Sequence, residues 1–133
     1  MNARGGTRVP LRSLRVLIVE DNPTDRAFVR LILASVPDVV PTIDDVESGR
    51  EAQRLIRENQ YDLVIADNHL VGPITGIDVL RLARELQPKC RRVFITGDTR
   101  PHVLDDARRI ADPTALLPKS GRIAANIAPL IIG

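Results

Sequence analysis

Acidic, hydroxyl and amino side chains follow directly on short apolar runs in this sequence. Val16–Val19 leads into Glu20-Asp21, Leu63–Ala66 into Asp67, Val93–Ile95 into Thr96-Gly97-Asp98, and Ala115–Leu117, one proline later, into Lys119. Carboxylates gathered in one place repel unless they share a cation, and hard oxygen ligands with room for water suit Mg2+. A carboxylate beside such a cation can attack a phosphoryl group, because the metal neutralises phosphoryl oxygens as charge shifts during transfer. Asp67, at the end of a central run, is the natural nucleophile. Lys119 then brings a point charge to one phosphoryl oxygen, and the Thr96 hydroxyl a hydrogen bond to another. The lysine is informative because 17 of the 19 basic residues are arginine.

These groups meet only if the runs lie side by side. A further run, Val39–Ile43, makes five, and amphipathic stretches separate them. Phe28, Leu31 and Ile32 fall at i, i+3, i+4, as do Ala52, Leu55 and Ile56. Ile77, Leu80, Ala83 and Leu86 form a third stripe, Val103, Ala107 and Ile110 a fourth, and Ile123, Ile127, Leu130 and Ile131 a fifth. Short apolar strands alternating with helices predict a (βα)5 α/β fold, doubly wound around a parallel sheet with right-handed crossovers. Pro41 lacks an N–H and so suits an edge strand, in agreement with strand order 2-1-3-4-5. Ligands of such sheets bind beyond the carboxyl ends of the strands, where Glu20, Asp21, Asp67, Thr96 and Lys119 all fall. Residues 1–13, rich in Arg and Gly, read as a flexible arm, and 14–132 as the domain.

At 133 residues the chain fits one domain, so any output passes through a partner. With 44% hydrophobic and 27% charged residues it has a globular composition. No apolar run approaches the roughly 18 residues that cross a bilayer, and MNARGGTRVPLRS lacks a signal peptide's apolar stretch, so a cytoplasmic location is expected. The pI of about 9.2 hints at nucleic acid. However, Arg4, Arg8, Arg12 and Arg15 lie in the first fifteen residues with no acid, and what remains is fifteen basic against seventeen acidic groups, a net of −2. The body is not basic, aromatic stacking residues are nearly absent, and a nucleic-acid role is not expected. Cys90, the single cysteine, excludes an internal disulfide and is expected to be an inert thiol.

VLIVEDN at 16–22, YDLVIAD at 61–67, VFITGD at 93–98 and LLPKS at 116–120 together resemble the receiver domain of response regulators, over residues 14–132. The resemblance implies that Asp21 and Asp67 ligate Mg2+ directly, with Glu20 acting through water and the main-chain carbonyl of His69 completing the protein ligands. It implies that a histidine kinase or histidine phosphotransfer protein phosphorylates Asp67, that Thr96 and Lys119 sense the phosphoryl group, and that binding to a downstream protein changes. It also implies no enzymatic activity beyond self-phosphorylation and autodephosphorylation. The fourth and fifth helices would carry output, with homodimerisation one use of any exposed remainder of Leu130-Ile131-Ile132.

Four departures stand out. NHLVGPIT, between Asp67 and Gly76, is one residue longer than usual, with Pro73 six rather than four positions past the phosphoacceptor, so the loop beside the site should bend differently. The strand position normally occupied by a switching aromatic is Leu116. Ser120 replaces the usual proline after the lysine. A cis bond before a non-proline residue costs roughly 2.5–4 kcal/mol, so either a trans bond with a reshaped loop or a strained cis bond is expected. His69, two residues past Asp67, stands where receivers tune phosphoryl lifetime, and its imidazole either orients attacking water or faces solvent.

Plainer uses exist for the same residues. Glu20 and Asp21 could serve only the dipole of the next helix, but Asn22, Pro23 and Asp25 already supply its cap, first turn and N3 acid. A receiver-like adaptor that signals by binding alone is the alternative suggested by Leu116, Ser120 and the long loop. An aspartyl-phosphate hydrolase of the haloacid dehalogenase type needs a second aspartate at the place of His69 and a cap segment, and has neither here.

Overall fold

The computed structural model describes residues 11–119 and 123–132. Five parallel strands form one sheet in the order β2-β1-β3-β4-β5: β1 (Arg12–Val19), β2 (Val39–Val46), β3 (Leu63–Asp67), β4 (Arg91–Thr96) and β5 (Ala115–Pro118). Helices α1 (Pro23–Ala34), α2 (Gly49–Glu58), α3 (Gly76–Leu86), α4 (Pro101–Asp106) and α5 (Ile123–Ile132) alternate with them. This is the expected flavodoxin-like arrangement, with Pro41 in edge strand β2. Val19 lies level with Val46 and Ala66, Asp67 with Ile95, and Thr96 with Pro118. The strands therefore end nearly flush, and the chemistry-bearing residues share one rim.

The period of two along each strand divides the core. Leu17, Val19, Val64, Ala66 and Phe94 point to one face, where they pack with Ala52 and Ile56 of α2, Val79, Leu80 and Ala83 of α3, and Val103 of α4. Val16, Ile18, Leu63, Ile65, Val93, Ile95 and Leu117 point to the other, against Val29, Ile32 and Leu33 of α1 and Ile127 and Ile131 of α5. Strands β1, β3 and β4 are buried on both faces, hence their unbroken apolar runs.

In α1 the sequence pattern misplaced the buried face. Phe28 and Leu31 are 48% and 65% exposed, and Val29, Ile32 and Leu33 form the inner stripe. Both sets satisfy helical spacing, and the choice between them comes from the sheet. Strand limits also moved outward. β1 begins at Arg12, level with Val39, so Arg12 and Ser13 belong to the sheet rather than to an arm. β2 runs on through Asp44-Asp45, residues that disfavour strands, because Asp44 accepts from the Tyr61 hydroxyl at 2.6 Å and Asp45 pairs with Arg30 at 2.6 Å.

The fourth helix changes character part-way. After α4 the chain widens into a π-helical turn, Ala107–Ala111, which keeps Ala107 buried, leaves Ile110 half-buried and buries Ala111. Such turns insert a residue into the helical count and shift the face downstream. In α5, Ile127 and Ile131 are core and Leu130 is half-buried. Among the residues whose side chains are described, the large exposed apolar ones are Leu11, Phe28, Leu31, Val40, Val71 and Leu86.

Arg92 ties the π turn to the sheet. Only 8% exposed, it donates to the carbonyls of Ala111 (3.3 Å), Cys90 (3.1 Å) and Asp112 (2.8 Å), the last at a left-handed φ of 43°. A methionine there would fill the space and leave three acceptors without a partner. Arg92→Met should lower the unfolding free energy by roughly 2–4 kcal/mol in urea titrations; a change within about 0.5 kcal/mol, as for an ordinary surface site, would show that these carbonyls do not depend on the guanidinium.

Candidate functional site

Glu20 and Asp21 leave β1 beside Asp67 at the end of β3, and one carboxylate oxygen from each lies within 4.8 Å of the others. Glu20 and Asp67 are buried, at 5% and 4% exposure, and Asp21 is half-buried. Lys119, just past β5, places its ammonium 3.1 Å from Glu20 Oε1, 3.1 Å from Asp67 Oδ2 and 2.8 Å from Asp25 Oδ2. The other oxygen of Asp67, Oδ1, is buried without a hydrogen-bond partner. Buried polar atoms are nearly always satisfied, so an orphaned carboxylate oxygen among acids marks a place for a cation or another donor.

The charge balance supports this. One ammonium faces several carboxylates, and Glu20 is pushed up to about 7, by burial first and by the negative charge of Asp67 second, against the opposing Asn22 N–H and Lys119. Burial also works against the charge of Lys119, but its hydrogen bonds to Asp25 and Glu20 and the charge of Asp67 outweigh this and hold the ammonium well above its ordinary value. A divalent cation bound by oxygen ligands fits such a set.

Local sequence explains how the acids are held. Asn22 caps α1 by accepting from the N–H groups of Thr24 and Asp25, and its own N–H donates to Glu20 Oε2 at 3.2 Å. Arg26 donates to the Glu20 carbonyl at 2.8 Å. Opposite, α3 starts against the backbone of Asp67. The Gly76 N–H donates to the Asn68 carbonyl at 3.3 Å, and a Cβ on Gly76 would be driven into the Asp67 carbonyl oxygen.

Thr96 is fully buried at the end of β4, where its hydroxyl donates to the Asp98 carbonyl at 3.1 Å and accepts the Asp98 N–H at 2.8 Å. Arg100 grips Asp98 through two contacts of 2.8 and 2.6 Å and holds its carboxyl well below the usual range. The exposed His69 imidazole stands 3.8 Å from the same carboxylate. The long loop after Asp67 turns at Gly72, with a φ of 90°, and is fastened by a bridge between Val71 and Ser48. Leu116 is half-buried and lies level with Phe94, so the aromatic sits in the neighbouring strand and is fully buried. The Lys119-Ser120 peptide lies outside the described residues. Burial raises the Cys90 thiol to about 11, so it is inert. Two participants escaped the sequence reading: Asp25, visible only as a helix N3 acid, and Arg100, whose contact depends on the loop.

Residues 16–117 match the response regulator receiver domain family. The chain belongs to that family. It is 34% identical over 100 residues, 74% of its length, to the transcriptional regulatory protein CitB of Klebsiella pneumoniae, and 34% identical over 88 residues, 66% of its length, to a protein-glutamate methylesterase/protein-glutamine glutaminase of Nitrosospira multiformis. The match spans only 41% and 24% of the length of these two proteins. A two-component response regulator of the LuxR family from Aurantimonas sp. SI85-9A1 superposes with a TM-score of 0.75 at 26% identity, covering 90% of this chain and 83% of that one. The receiver fold brings all five chemistry-bearing residues to one rim.

Gly76→Ala should cost about 1–3 kcal/mol of stability, the usual penalty of overpacking, and should weaken binding of a divalent cation; unchanged values for both would mean that the Asp67 backbone can yield. A pH series gives a second check. Because the carboxyl of Glu20 is raised in the fold, its contribution is complete below its unfolded value of about 4.5 and is lost as pH climbs through about 7. The metal-free stability of the native chain relative to Glu20→Gln should therefore fall between about pH 5 and 8, and a pH-independent difference would contradict the strained burial of this acid.

Proposed function

We propose that this receiver accepts a phosphoryl group on Asp67 from a histidine kinase or a histidine phosphotransfer protein and thereby alters its binding to a downstream protein. The unpartnered, buried Oδ1 of Asp67, among acids whose charge a single lysine does not balance, is the observation that carries this reading. Asp21, Asp67 and the His69 main-chain carbonyl would hold Mg2+ directly and Glu20 would hold it through water. When bound, Mg2+ supplies positive charge to the phosphoryl oxygens.

The chain's own residues do the rest. A carboxylate oxygen of Asp67 forms a bond to phosphorus as the bond from phosphorus to the donor's imidazole nitrogen breaks and the electron pair returns to that nitrogen. Lys119, already 3.1 Å from Asp67 Oδ2, turns its ammonium to a phosphoryl oxygen. Thr96 gives up the Asp98 carbonyl and donates its hydroxyl to another. The exposed His69 imidazole, 3.8 Å from the Asp98 carboxylate, would orient attacking water and so tune the lifetime of the acyl phosphate. The only chemistry is this self-transfer and its hydrolysis.

The receiver occupies 14–132 and is extended by the first residues of β1. Its expected setting is the cytoplasm, and no described helix is long and apolar enough to cross a membrane. Output through α4 and α5, including a homodimer, is the use expected of these helices; the Ile132 side chain, part of the apolar C-terminal stripe, lies outside the described side chains. With Leu116 in place of an aromatic, the change runs through the Thr96–Asp98–Arg100 loop. The alternative, an adaptor that binds without phosphorylation, draws on Leu116, Ser120 and the long loop, and on a Thr96 hydroxyl already satisfied by the Asp98 carbonyl.

Incubation with Mg2+ and a small phosphodonor should add the mass of one phosphoryl group to the native chain and none to Asp67→Asn. Absence of an adduct from small donors and kinases alike would leave the adaptor. Sustained turnover of unrelated phosphomonoesters would point to a hydrolase.

A further inference from the structure

We propose that Asp25 is a positioning residue that draws the Lys119 ammonium off the acidic pocket when a divalent cation enters, and so sets the affinity for that cation. The inference rests on the metal reading of Glu20, Asp21 and Asp67. Lys119 serves three carboxylates at once, and its shortest contact, 2.8 Å, is to Asp25 rather than to Glu20 or Asp67 at 3.1 Å. The three acids differ in setting. The side chains of Glu20 and Asp67 are 6% and 4% exposed and belong to the pocket, whereas that of Asp25 is 41% exposed and stands on the first turn of α1, outside the cluster of prospective ligands.

In this form the ammonium occupies the oxygens that a cation would need. A tethered cation and a free one compete for Glu20 Oε1 and Asp67 Oδ2, and both cannot hold them at full strength. An ammonium pushed away with no acceptor would be left partly buried beside a dication. Asp25 removes that cost, because the lysine gives up two partners and keeps its third. Helix capping does not account for this carboxylate: Asn22 already accepts the Asp25 N–H, while the Asp25 carboxylate is turned across to β5.

Coupling between the two residues provides the test. Magnesium affinity would be measured by titration calorimetry for the full chain and for Asp25→Asn, Lys119→Met and the double variant. Asp25→Asn should weaken magnesium binding about three- to tenfold when Lys119 is present and less than about twofold when it is methionine, the difference being the pairwise coupling. Asp25→Glu should restore most of the affinity. Loss of a merely general negative charge would weaken binding equally in both backgrounds, and that result overturns the inference, as does an Asp25→Asn affinity equal to the native one. If Asp25→Asn fails to fold by circular dichroism, Asp25→Ser, which keeps a helix-start residue on this exposed turn, takes its place in the cycle. No magnesium binding by the native chain would remove the metal reading along with the inference, whereas binding without coupling removes the inference alone.

Discussion

Mutual repulsion of acids held at the end of a parallel sheet is the constraint on which this structure turns. Glu20, Asp21 and Asp67 would separate if they were free. Register prevents it: β1 and β3 pair from Val16 with Leu63 to Val19 with Ala66, so their acidic ends emerge together. Hydrophobic burial on both faces of these strands fixes that register, since a slip of one residue would turn each inner side chain to the wrong face. The apolar core thus holds charges together against their own field, with Lys119 as the counterweight.

The surrounding features follow from that concentration of charge. Asn22 caps α1 and donates to Glu20, Arg26 takes the Glu20 carbonyl, and Gly76 lets α3 close on the backbone of Asp67. Across the rim, Arg100 removes Asp98 from the local pool of free carboxylates and ties it into the turn that occupies the Thr96 hydroxyl. The site is poised rather than rigid at this edge, because the Thr96 and Lys119 side chains each hold a contact that a phosphoryl group could exchange.

Much of this was legible beforehand. Apolar runs ending in acids, Pro41 and the lysine among arginines were enough for the (βα)5 order and for the five residues on the rim. The sequence could not choose the inner face of α1, because Phe28-Leu31-Ile32 and Val29-Ile32-Leu33 obey the same spacing and only the sheet decides between them. Nor did it show Asp44-Asp45 continuing β2, since their compensation by Tyr61, Arg15 and Arg30 comes from other elements. The π turn and the buried Arg92 behind it are tertiary in the same sense. Asp25 was hidden in plain view: its helix-start setting offered a sufficient local use, and the lysine it meets is 94 residues away.

On the proposed function, the carboxylate of Asp67, and no other, becomes an acyl phosphate. Borohydride reduces an acyl phosphate to an alcohol and leaves a free carboxylate untouched, so treatment after phosphorylation followed by peptide mass mapping reads the site directly. Homoserine is expected at position 67 in the phosphorylated chain and none without the donor. Reduction at Asp21 or Asp98 instead, or at no residue in a chain that carries the phosphoryl mass, would contradict it.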